Sequence, residues 1–327
     1  MLGLAVMARK ALICGISGQD GPFLAKLLLE KGYEVFGTSR DAQLSNFGNL
    51  KLLGIFDDVT TLSMTLTDFR SVLTCLTEVM PDEIYNLAGQ SSVSLSFQQP
   101  VETLESISVG TLNLLESMRF LGSDMKLYNA GSSECYGDTH GQPADENTAF
   151  RPRSPYAVAK SAAFWQVANY REAYSLKVCS GILFNHESQL RPKRFVTQKI
   201  IQQAVDIAKG KAENLKLGNI SIVRDWGWAP EYVEAMWLML QQDVQSDYVI
   251  ATGESYSLEE FVKYTFDCLD LEWKQYVEFD NNLMRPTDIM VSKGNASKAH
   301  QDLGWKAASN MHAVIDEMLE KYLKVCG

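Results

Sequence analysis

The sequence predicts an α/β protein, in which a doubly wound parallel sheet is joined to a smaller mixed α/β lobe. From Lys10 onward, short apolar runs alternate with longer segments of helical period, which is typical of repeated βαβ units. After Phe184 this rhythm gives way to shorter, mixed segments. The chain has 327 residues, which is enough for two interleaved lobes. We therefore expect a large Rossmann-like lobe and a second lobe that closes over its ligand crevice.

The first half of the chain is predicted to hold six strands and four helices. Each strand is a short apolar run, and two of the helices begin with a proline, which the first helical turn tolerates. The predicted strands are 11–15, 34–38, 59–63, 83–87, 126–130 and 178–183. The predicted helices are 22–31, 68–80, about 101–120, and 155–174. In such a sheet the ligand crevice lies at the carboxyl ends of the strands.

The second half is predicted to contain the helices 196–209 and 229–242 and a strand at 215–217. A further strand at 248–251 could return to the first sheet. These elements suggest a cofactor-binding domain over residues 8–184, to which 225–251 returns. The segments 185–224 and 252–327 would then form a substrate-binding lobe of mixed α/β structure.

Composition excludes several functional classes. The chain is 46% hydrophobic and 21% charged, as expected for a globular enzyme and not for a disordered protein. Its net charge of -10 opposes general binding to nucleic acid, because phosphate contacts need a clustered excess of Lys and Arg. The six cysteines include no Cys-x-x-Cys pair, and there are only four histidines, so no metal site is indicated. We expect the cysteines to be reduced thiols, mostly in the core.

The apolar segment 1–7 is too short for the core of a signal peptide, and Arg9 and Lys10 follow it directly. It is interpreted as an extension or as an alternative start before Ala8. No stretch reaches the 18 or so apolar residues that cross a bilayer, so a cytoplasmic protein without membrane contact is expected.

A glycine-rich motif, GISGQDG, follows the first predicted strand and precedes an apolar helix. Its glycines let the backbone turn tightly and approach a pyrophosphate, which the first amides of the helix then stabilise. The residues expected at the dinucleotide are Gly15, Ser17, Gly18, Gln19, Asp20 and Gly21.

The end of the second strand indicates which dinucleotide binds. Enzymes that prefer NAD usually place an acidic residue there, which holds the ribose 2′-hydroxyl. This chain instead has Arg40, which is either a solvated loop charge or a ligand for a 2′-phosphate. With no carboxylate to repel that phosphate, NADP is favoured over NAD.

Tyr156 and Lys160 lie four residues apart on the helix predicted from residue 155, so both face the same crevice. An ammonium beside a phenol favours the phenolate and lowers its pKa, so Tyr156 is predicted to act as a general base. The loop after the fifth strand adds Ser132, which can donate a hydrogen bond to a substrate oxygen, and Glu134, which can carry a proton.

These motifs resemble those of the extended short-chain dehydrogenases and, among them, the GDP-mannose 4,6-dehydratase family. The resemblance covers nearly the whole chain after Ala8, and the strings NHES and RDWG are specific to this branch. The matching segments include residues 11–21, 85–91, 152–160, 181–188, 195–197, 224–227, 251–253, 285–286 and 303–305.

The resemblance implies roles for individual residues. Catalytic positions of the family fall on Ser132, Glu134, Tyr156 and Lys160, with serine at 132 where threonine is usual. Cofactor contacts would include, besides the glycine motif and Arg40, Leu87, Ala88, Gln90, Lys160, His186 and Arg191. The positions that hold a GDP-sugar fall on Ser91, Ser132, Glu134, Asn185, Lys199, Arg224 and Arg285.

The chain also departs from the family pattern. The arginine- and serine-rich loop that relatives extend toward a neighbouring subunit's cofactor is reduced here to residues 39–42. A homodimer is therefore expected, while tetramerisation through that loop is in doubt. Thr65 stands where relatives have an aspartate near the adenine, and Ser92 replaces a usual histidine. The short loop and the string GSSE at 131–134 also resemble the family of GDP-4-keto-6-deoxymannose reductases.

The activity that the resemblance implies is the dehydration of GDP-mannose to GDP-4-keto-6-deoxymannose by internal hydride transfer through NADP. Three alternatives stay open on the sequence. The first is a GDP-4-keto-6-deoxymannose reductase, which would consume NADPH. The second is a 4,6-dehydratase for another GDP-sugar, such as a GDP-heptose. The third is a non-catalytic NADP-binding regulator on the same fold, which the intact Tyr156, Lys160 and Glu134 oppose.

Overall fold

The computed structural model describes residues 8–326, and side chains as far as residue 324. The expectation for residues 1–7 and the one for the side chain of Cys326 concern parts outside this range. The strands are β1 (Lys10–Cys14), β2 (Glu34–Ser39), β3 (Val59–Ser63), β4 (Glu83–Asn86), β5 (Lys126–Ala130), β6 (Lys177–Leu183), β7 (Asn185–Glu187), β8 (Leu215–Leu217), β9 (Val223–Arg224), β10 (Trp226–Trp228), β11 (Tyr248–Ile250), β12 (Tyr256–Ser257) and β13 (Val277–Phe279).

The helices alternate with the strands through the first half of the chain and dominate its second half. They are α1 (Asp20–Glu30), α2 (Gly48–Leu52), α3 (Phe69–Val79), α4 (Val93–Gln98), α5 (Pro100–Leu104), α6 (Gly110–Leu121), α7 (Pro155–Tyr174), α8 (Val196–Ala208), α9 (Ala229–Gln241), α10 (Leu258–Asp267), α11 (Ser297–Leu303) and α12 (Met311–Cys326).

The central sheet has seven strands in the order β3-β2-β1-β4-β5-β6-β11, and every neighbouring pair is parallel. The order reverses between β1 and β4, which is the switch point where doubly wound sheets open a ligand crevice. The predicted fold class is thus confirmed. The predicted return of the strand near 248 is also confirmed, because Tyr248 pairs with Gly181 at the edge of the sheet.

The long helix predicted over 101–120 is wrong as a single regular element. It is divided into α5, a π-helical turn at Glu105–Val109, and α6. The Thr111 hydroxyl, at the start of α6, donates to the carbonyl of Ile107 in the π-helical turn at 2.7 Å, and such a bond competes with the regular helical ladder. At Gly110 a Cβ atom would lie 3.1 Å from Cβ of Leu66, so the glycine lets the helix approach that side chain closely.

The smaller lobe has its own apolar core, formed where α8, α10 and α12 pack together around Trp226. Over the described residues three two-stranded sheets accompany it, since β7 pairs with β10 and β8 with β13 in parallel, and β9 pairs with β12 in antiparallel orientation. The mixed character of this lobe agrees with the prediction. Ala299, Leu303 and Trp305 pack instead into the core beside the central sheet. The predicted limits of the two domains stay a prediction.

Four cysteines are buried free thiols, as expected, whereas the free thiol of Cys268 is exposed. The buried ones are Cys14, Cys75, Cys135 and Cys179. Over residues 8–326, no helix combines the length and the apolar character that a bilayer span requires.

Candidate active site

A cleft of about 850 Å³ opens at the carboxyl edge of the sheet, where the smaller lobe faces it. Residues from the ends of β5 and β6, from α7 and α8, and from the segment after β13 line its walls. The predicted site residues that line it are Asp20, Leu87, Ser91, Ser132, Glu134, Tyr156, Lys160, Asn185, His186, Arg191, Lys199, Arg224 and Arg285. Those outside its lining are Gly15, Ser17, Gly18, Gln19, Gly21, Arg40, Ala88 and Gln90.

The glycine motif forms the tight turn that its sequence predicts. Gly15 has φ of +81°, and a Cβ atom there would lie 2.8 Å from Cα of Ala88. At Gly21 a Cβ atom would lie 2.6 Å from Cα of Ile16, so this turn excludes side chains at both positions. The following helix α1 begins without a side-chain cap, because Gln19 at its N-cap makes no capping bond. The backbone amides of the turn therefore suit a pyrophosphate group.

Side-chain hydrogen bonds and an ion pair connect this turn to β7 and the residue that follows it. The Gln19 amide donates to the carbonyl of His186 at 3.0 Å, and the Ser188 hydroxyl donates to the Gln19 carbonyl oxygen at 3.0 Å. Burial opposes charge on both Asp20 and His186, yet their mutual attraction outweighs it. The pKa of Asp20 is therefore lowered and that of His186 raised. The resulting buried ion pair joins the glycine turn to β7.

Ser132 and Glu134 lie directly after β5. The Ser132 hydroxyl accepts a hydrogen bond from the backbone amide of Glu134 at 3.3 Å and so begins a 3₁₀ turn over Ser133–Tyr136. The Glu134 carboxyl is partly buried and lines the cleft. Burial raises its pKa, although Arg224 and Arg285 act in the opposite direction. A carboxylate with a raised pKa is a stronger base than an ordinary glutamate.

Tyr156 and Lys160 both line the cleft from the first turns of α7, as their spacing predicts. The Lys160 ammonium donates to the carbonyl of Ala130 at 2.7 Å and lies 5.9 Å from the centre of the Tyr156 ring. Burial lowers the pKa of Lys160 to about 8. The expected lowering of the Tyr156 pKa is wrong for this arrangement, because burial raises that pKa by more than a hydrogen bond with Ser132 and the charge of Arg191 lower it.

Two arginines converge on a carboxylate that the sequence analysis missed. One Arg224 nitrogen donates to Asp288 at 3.1 Å and another donates to the carbonyl of Val223 at 3.0 Å. The Arg285 guanidinium lies 3.6 Å from the same Asp288 oxygen. The spacing Arg-x-x-Asp at 285–288 is the only signal in the sequence for this contact. Arg224 is buried, so its charge is available to the cleft and not to bulk solvent.

The remaining cations line the wall formed by the smaller lobe. The Lys199 ammonium donates to the carbonyl of Lys216 at 2.6 Å, and burial lowers the pKa of Lys199. The Arg191 guanidinium lies 4.0 Å from the centre of the Phe195 ring and 3.3 Å from the Glu187 carboxylate. These contacts hold both side chains in place, and both residues line the cleft.

Two of the predicted residues make contacts that differ from their expected roles. The Arg40 side chain is 83% exposed and lies 3.9 Å from the Glu102 carboxylate. The Gln90 amide donates to the hydroxyl of Thr103 at 3.1 Å and to the carbonyl of Ser92 at 2.9 Å, so it fixes the loop after β4. The glycine turn has a further contact that the sequence analysis did not identify, because the Asn49 amide on α2 donates to the carbonyl of Gly18 at 2.8 Å.

The fold is similar to that of several solved structures. The fold is similar to that of dTDP-glucose 4,6-dehydratase from Bacillus anthracis in complex with NAD, with a TM-score of 0.84, 19% identity and 97% of each chain covered. It is also similar to RMD from Pseudomonas aeruginosa complexed with NADPH, with a TM-score of 0.79, 22% identity, and 98% of this chain and 99% of that chain covered. At these identities the likeness shows the fold alone.

The sequence comparisons are more specific. The chain is 46% identical over 327 residues to GDP-mannose 4,6 dehydratase 1 of Arabidopsis thaliana, covering 96% of this chain and 90% of the plant protein. The family model described as GDP-mannose 4,6 dehydratase matches residues 12–318. The chain therefore belongs to the GDP-mannose 4,6-dehydratase family.

Proposed function

We propose that this protein converts GDP-mannose to GDP-4-keto-6-deoxymannose with release of one water and no net consumption of a nicotinamide cofactor. The proposal rests on one observation. Two groups that can transfer protons, Tyr156 and Glu134, line the same cleft as the cations Arg224 and Arg285. A simple hydride-transfer enzyme needs only the first of these groups. An elimination also needs a base for a carbon-bound proton, and Glu134 can supply it.

The glycine turn supports binding of a dinucleotide. A side chain at Gly15 would collide with Ala88 and one at Gly21 with Ile16, so glycine at both positions allows the tight turn that leads into α1, whose start no side chain caps. His186 and Arg191 would hold the cofactor beside this turn, within reach of the cleft. A nicotinamide bound there would supply the acceptor for a hydride from C4 of the sugar and the donor that returns it to C6, and its positive charge in the oxidised form would favour the Tyr156 phenolate.

Tyr156 would take the proton of the sugar 4-hydroxyl, assisted by the neighbouring Ser132 hydroxyl. The resulting 4-keto group acidifies the hydrogen on C5. Glu134 would then remove that proton while the C6–oxygen bond breaks, and the departing hydroxyl with one proton forms water. A proton returns to C5 at the end, so the sugar is oxidised at C4, reduced at C6, and loses one water.

The diphosphate would lie against the cations of the smaller lobe. Arg224 and Arg285 can each make charge-assisted bonds, and Asp288 fixes their orientation before the ligand arrives. Lys199 adds a third positive charge on the same wall, and Asn185 offers an amide to the sugar from β7.

The activity is tested by incubating the protein with GDP-mannose in deuterated water and analysing the product by mass and NMR. We expect a 6-deoxy-4-keto sugar with one solvent deuteron at C5, formed over many turnovers per molecule of added NADP. A reductase would instead use NADPH in proportion to product. Failure to dehydrate any of a panel of GDP-hexoses and a GDP-heptose would overturn the proposal.

We further propose that the cofactor is NADP. Arg40 follows β2, where no carboxylate opposes a 2′-phosphate, and its exposed guanidinium makes only a long contact with Glu102. Arg40→Asp is expected to raise the Kd for NADP at least about tenfold, because a charge-assisted hydrogen bond is replaced by repulsion. The Kd for NAD should change much less.

Isothermal titration with NADP and NAD checks this expectation. Arg119→Asp is the control, because it makes the same charge change in the last turn of α6, outside the lining of the cleft, while it also breaks the ion pair of Arg119 with Glu116. Equal affinity of the unaltered protein for the two cofactors would contradict the assignment.

The predicted homodimer is also retained as a proposal. Exposed apolar side chains on α5 and α7 support it, among them Val101, Leu104, Val158 and Trp165, the last of which is 61% exposed. A second copy that packs the same helices against these would bury this apolar area. Sedimentation equilibrium tests the dimer. The cytoplasmic location expected from the sequence stays a prediction.

A further inference from the structure

His186 lies between two groups that can only accept hydrogen bonds. Its Nδ1 atom is 2.8 Å from the carbonyl oxygen of Phe184, and its Nε2 atom is 3.0 Å from the carboxylate of Asp20. A neutral imidazole carries one proton and could satisfy only one of these partners. With Asp20 ionised, both contacts require the doubly protonated imidazolium. The geometry therefore calls for a positive charge in a buried place.

The face of this imidazole rests on the ring of Tyr232. The two ring centres are 4.6 Å apart and the planes differ by 21°, so the rings are stacked. Tyr232 is buried on α9 and lies outside the lining of the cleft. Among the residues that the structure describes, its hydroxyl has no hydrogen-bond partner, so only the ring acts on His186. Gly227 makes room for that ring, since a Cβ atom there would lie 2.3 Å from it.

We propose that Tyr232 is a positioning residue, which keeps His186 doubly protonated and so holds the glycine turn against β7 for cofactor binding. The electron-rich face of a phenol ring attracts a cation, and this attraction grows when water is excluded. The proposal rests on the proposed function only in taking a nicotinamide dinucleotide as the ligand of the turn.

The consequence of the His186–Asp20 pair is a preorganised turn. Asp20 lies in the turn and His186 lies in β7, next to the proposed sugar ligand Asn185. A turn that is already fixed loses less conformational freedom when the cofactor binds. If the pair is weakened, the turn must lose its conformational freedom when the cofactor binds, and the cofactor Kd therefore rises.

The charged groups around His186 come from three elements. Asp20 on α1 stabilises the imidazolium, Arg191 in the segment after β7 opposes it, and Tyr232 lies beneath it on α9. The pKa of His186 is raised, because the attraction of Asp20 outweighs burial. The pair therefore contributes fully below the pKa of an ordinary histidine, and its contribution is lost as the pH rises through the raised pKa. Cofactor affinity should fall over that same range.

Three variants test the role of the ring. Tyr232→Leu removes the ring, whereas Tyr232→Phe keeps it and removes only a hydroxyl that has no partner. Trp305→Leu is the packing control, because Trp305 is buried with its ring centre 5.7 Å from that of Tyr232 in a T-shaped contact and lies outside the lining of the cleft. Tyr232→Met replaces the first variant if Tyr232→Leu does not fold.

The measurements are the His186 pKa, by NMR of histidine-labelled protein, and the Kd for NADP from pH 5.5 to pH 9. For Tyr232→Leu we expect the pKa to fall by about one unit and the Kd at pH 7.5 to rise roughly tenfold, with a smaller difference at low pH. Tyr232→Phe should match the unaltered protein in both. Trp305→Leu should lower the unfolding midpoint without moving the His186 pKa.

The inference is overturned if Tyr232→Leu leaves both quantities unchanged, if Tyr232→Phe is equally damaging, or if Trp305→Leu shifts the His186 pKa as much. An unaltered protein that binds neither NADP nor NAD would instead refute the cofactor assignment. In that case the His186 pKa still reports whether the ring stabilises the imidazolium, so the two failures are distinguishable.

Discussion

Glu134→Gln is expected to retain oxidation of the sugar at C4 while losing the release of water from C6. The amide preserves the size of the side chain and its place beside Arg224 and Arg285, but it cannot accept the proton from C5. Formation of the 6-deoxy product should fall by about 10² to 10⁴, the usual contribution of a positioned acid or base. Oxidation at C4 belongs to Tyr156 and should persist, up to one equivalent per bound cofactor.

Borodeuteride trapping separates the two steps, because it places deuterium at C4 of any oxidised hexose before water is lost. Glu172→Gln, an exposed change at the far end of α7, is the matched control and should dehydrate normally. Because the Glu134 pKa is raised and the base must be ionised, dehydration should slow as the pH falls through that raised pKa. A Glu134→Gln enzyme with normal dehydration would remove this residue from the mechanism.

Tyr156→Phe is expected to abolish most turnover at its first step. The phenylalanine keeps the ring in the cleft but cannot take the proton from the 4-hydroxyl, so turnover should fall by about 10² to 10⁴. The Kd values for GDP-mannose and NADP should stay close to those of the unaltered protein, because the cations and the glycine turn are untouched. Burial raises the Tyr156 pKa, so the rate of the unaltered enzyme should increase with pH.

Single-turnover kinetics and calorimetry check this second result. Tyr174→Phe, at the last residue of the same helix, is the control for loss of a hydroxyl without loss of function. Turnover near the normal rate in Tyr156→Phe would mean that the proton leaves by another route. A large loss of ligand affinity would mean that the phenol serves binding and not proton transfer.

The sheet was predictable because buried parallel strands are continuous apolar runs. β3 and β5 begin and end at the predicted residues, β1 is shifted by one residue at both ends, and β2, β4 and β6 each differ by one residue at one end. The division of the helix before Gly110 was not predictable, since it depends on Leu66 and on a hydroxyl bond to the Ile107 carbonyl. Short helices such as α2 and α4 also escaped prediction, because one or two turns give little periodicity.

The contacts of the candidate site were also predictable only in part from the sequence. Spacing along α7 correctly predicts that Tyr156 and Lys160 share a face, yet it says nothing of where an ammonium points, and Lys160 turns to a backbone carbonyl. Asp288 and Tyr232 act through side chains 64 and 46 residues distant in the sequence. No local pattern encodes the contact of Asp288 with Arg224 or that of Tyr232 with His186, so only the folded chain could identify these two.

The return of β11 to the central sheet has a consequence for how this molecule is made and handled. Six of the seven residues of β6 are buried, and its outer edge is covered only after the chain has passed through part of the smaller lobe. A fragment that stops at residue 184 would expose this apolar edge as a template for pairing with other chains. During synthesis the same edge stays open until residue 250 emerges from the ribosome. The two lobes therefore cannot be prepared separately by cutting once between them, because a piece that keeps both the covered β6 edge and the whole lining of the cleft must reach at least Asp288.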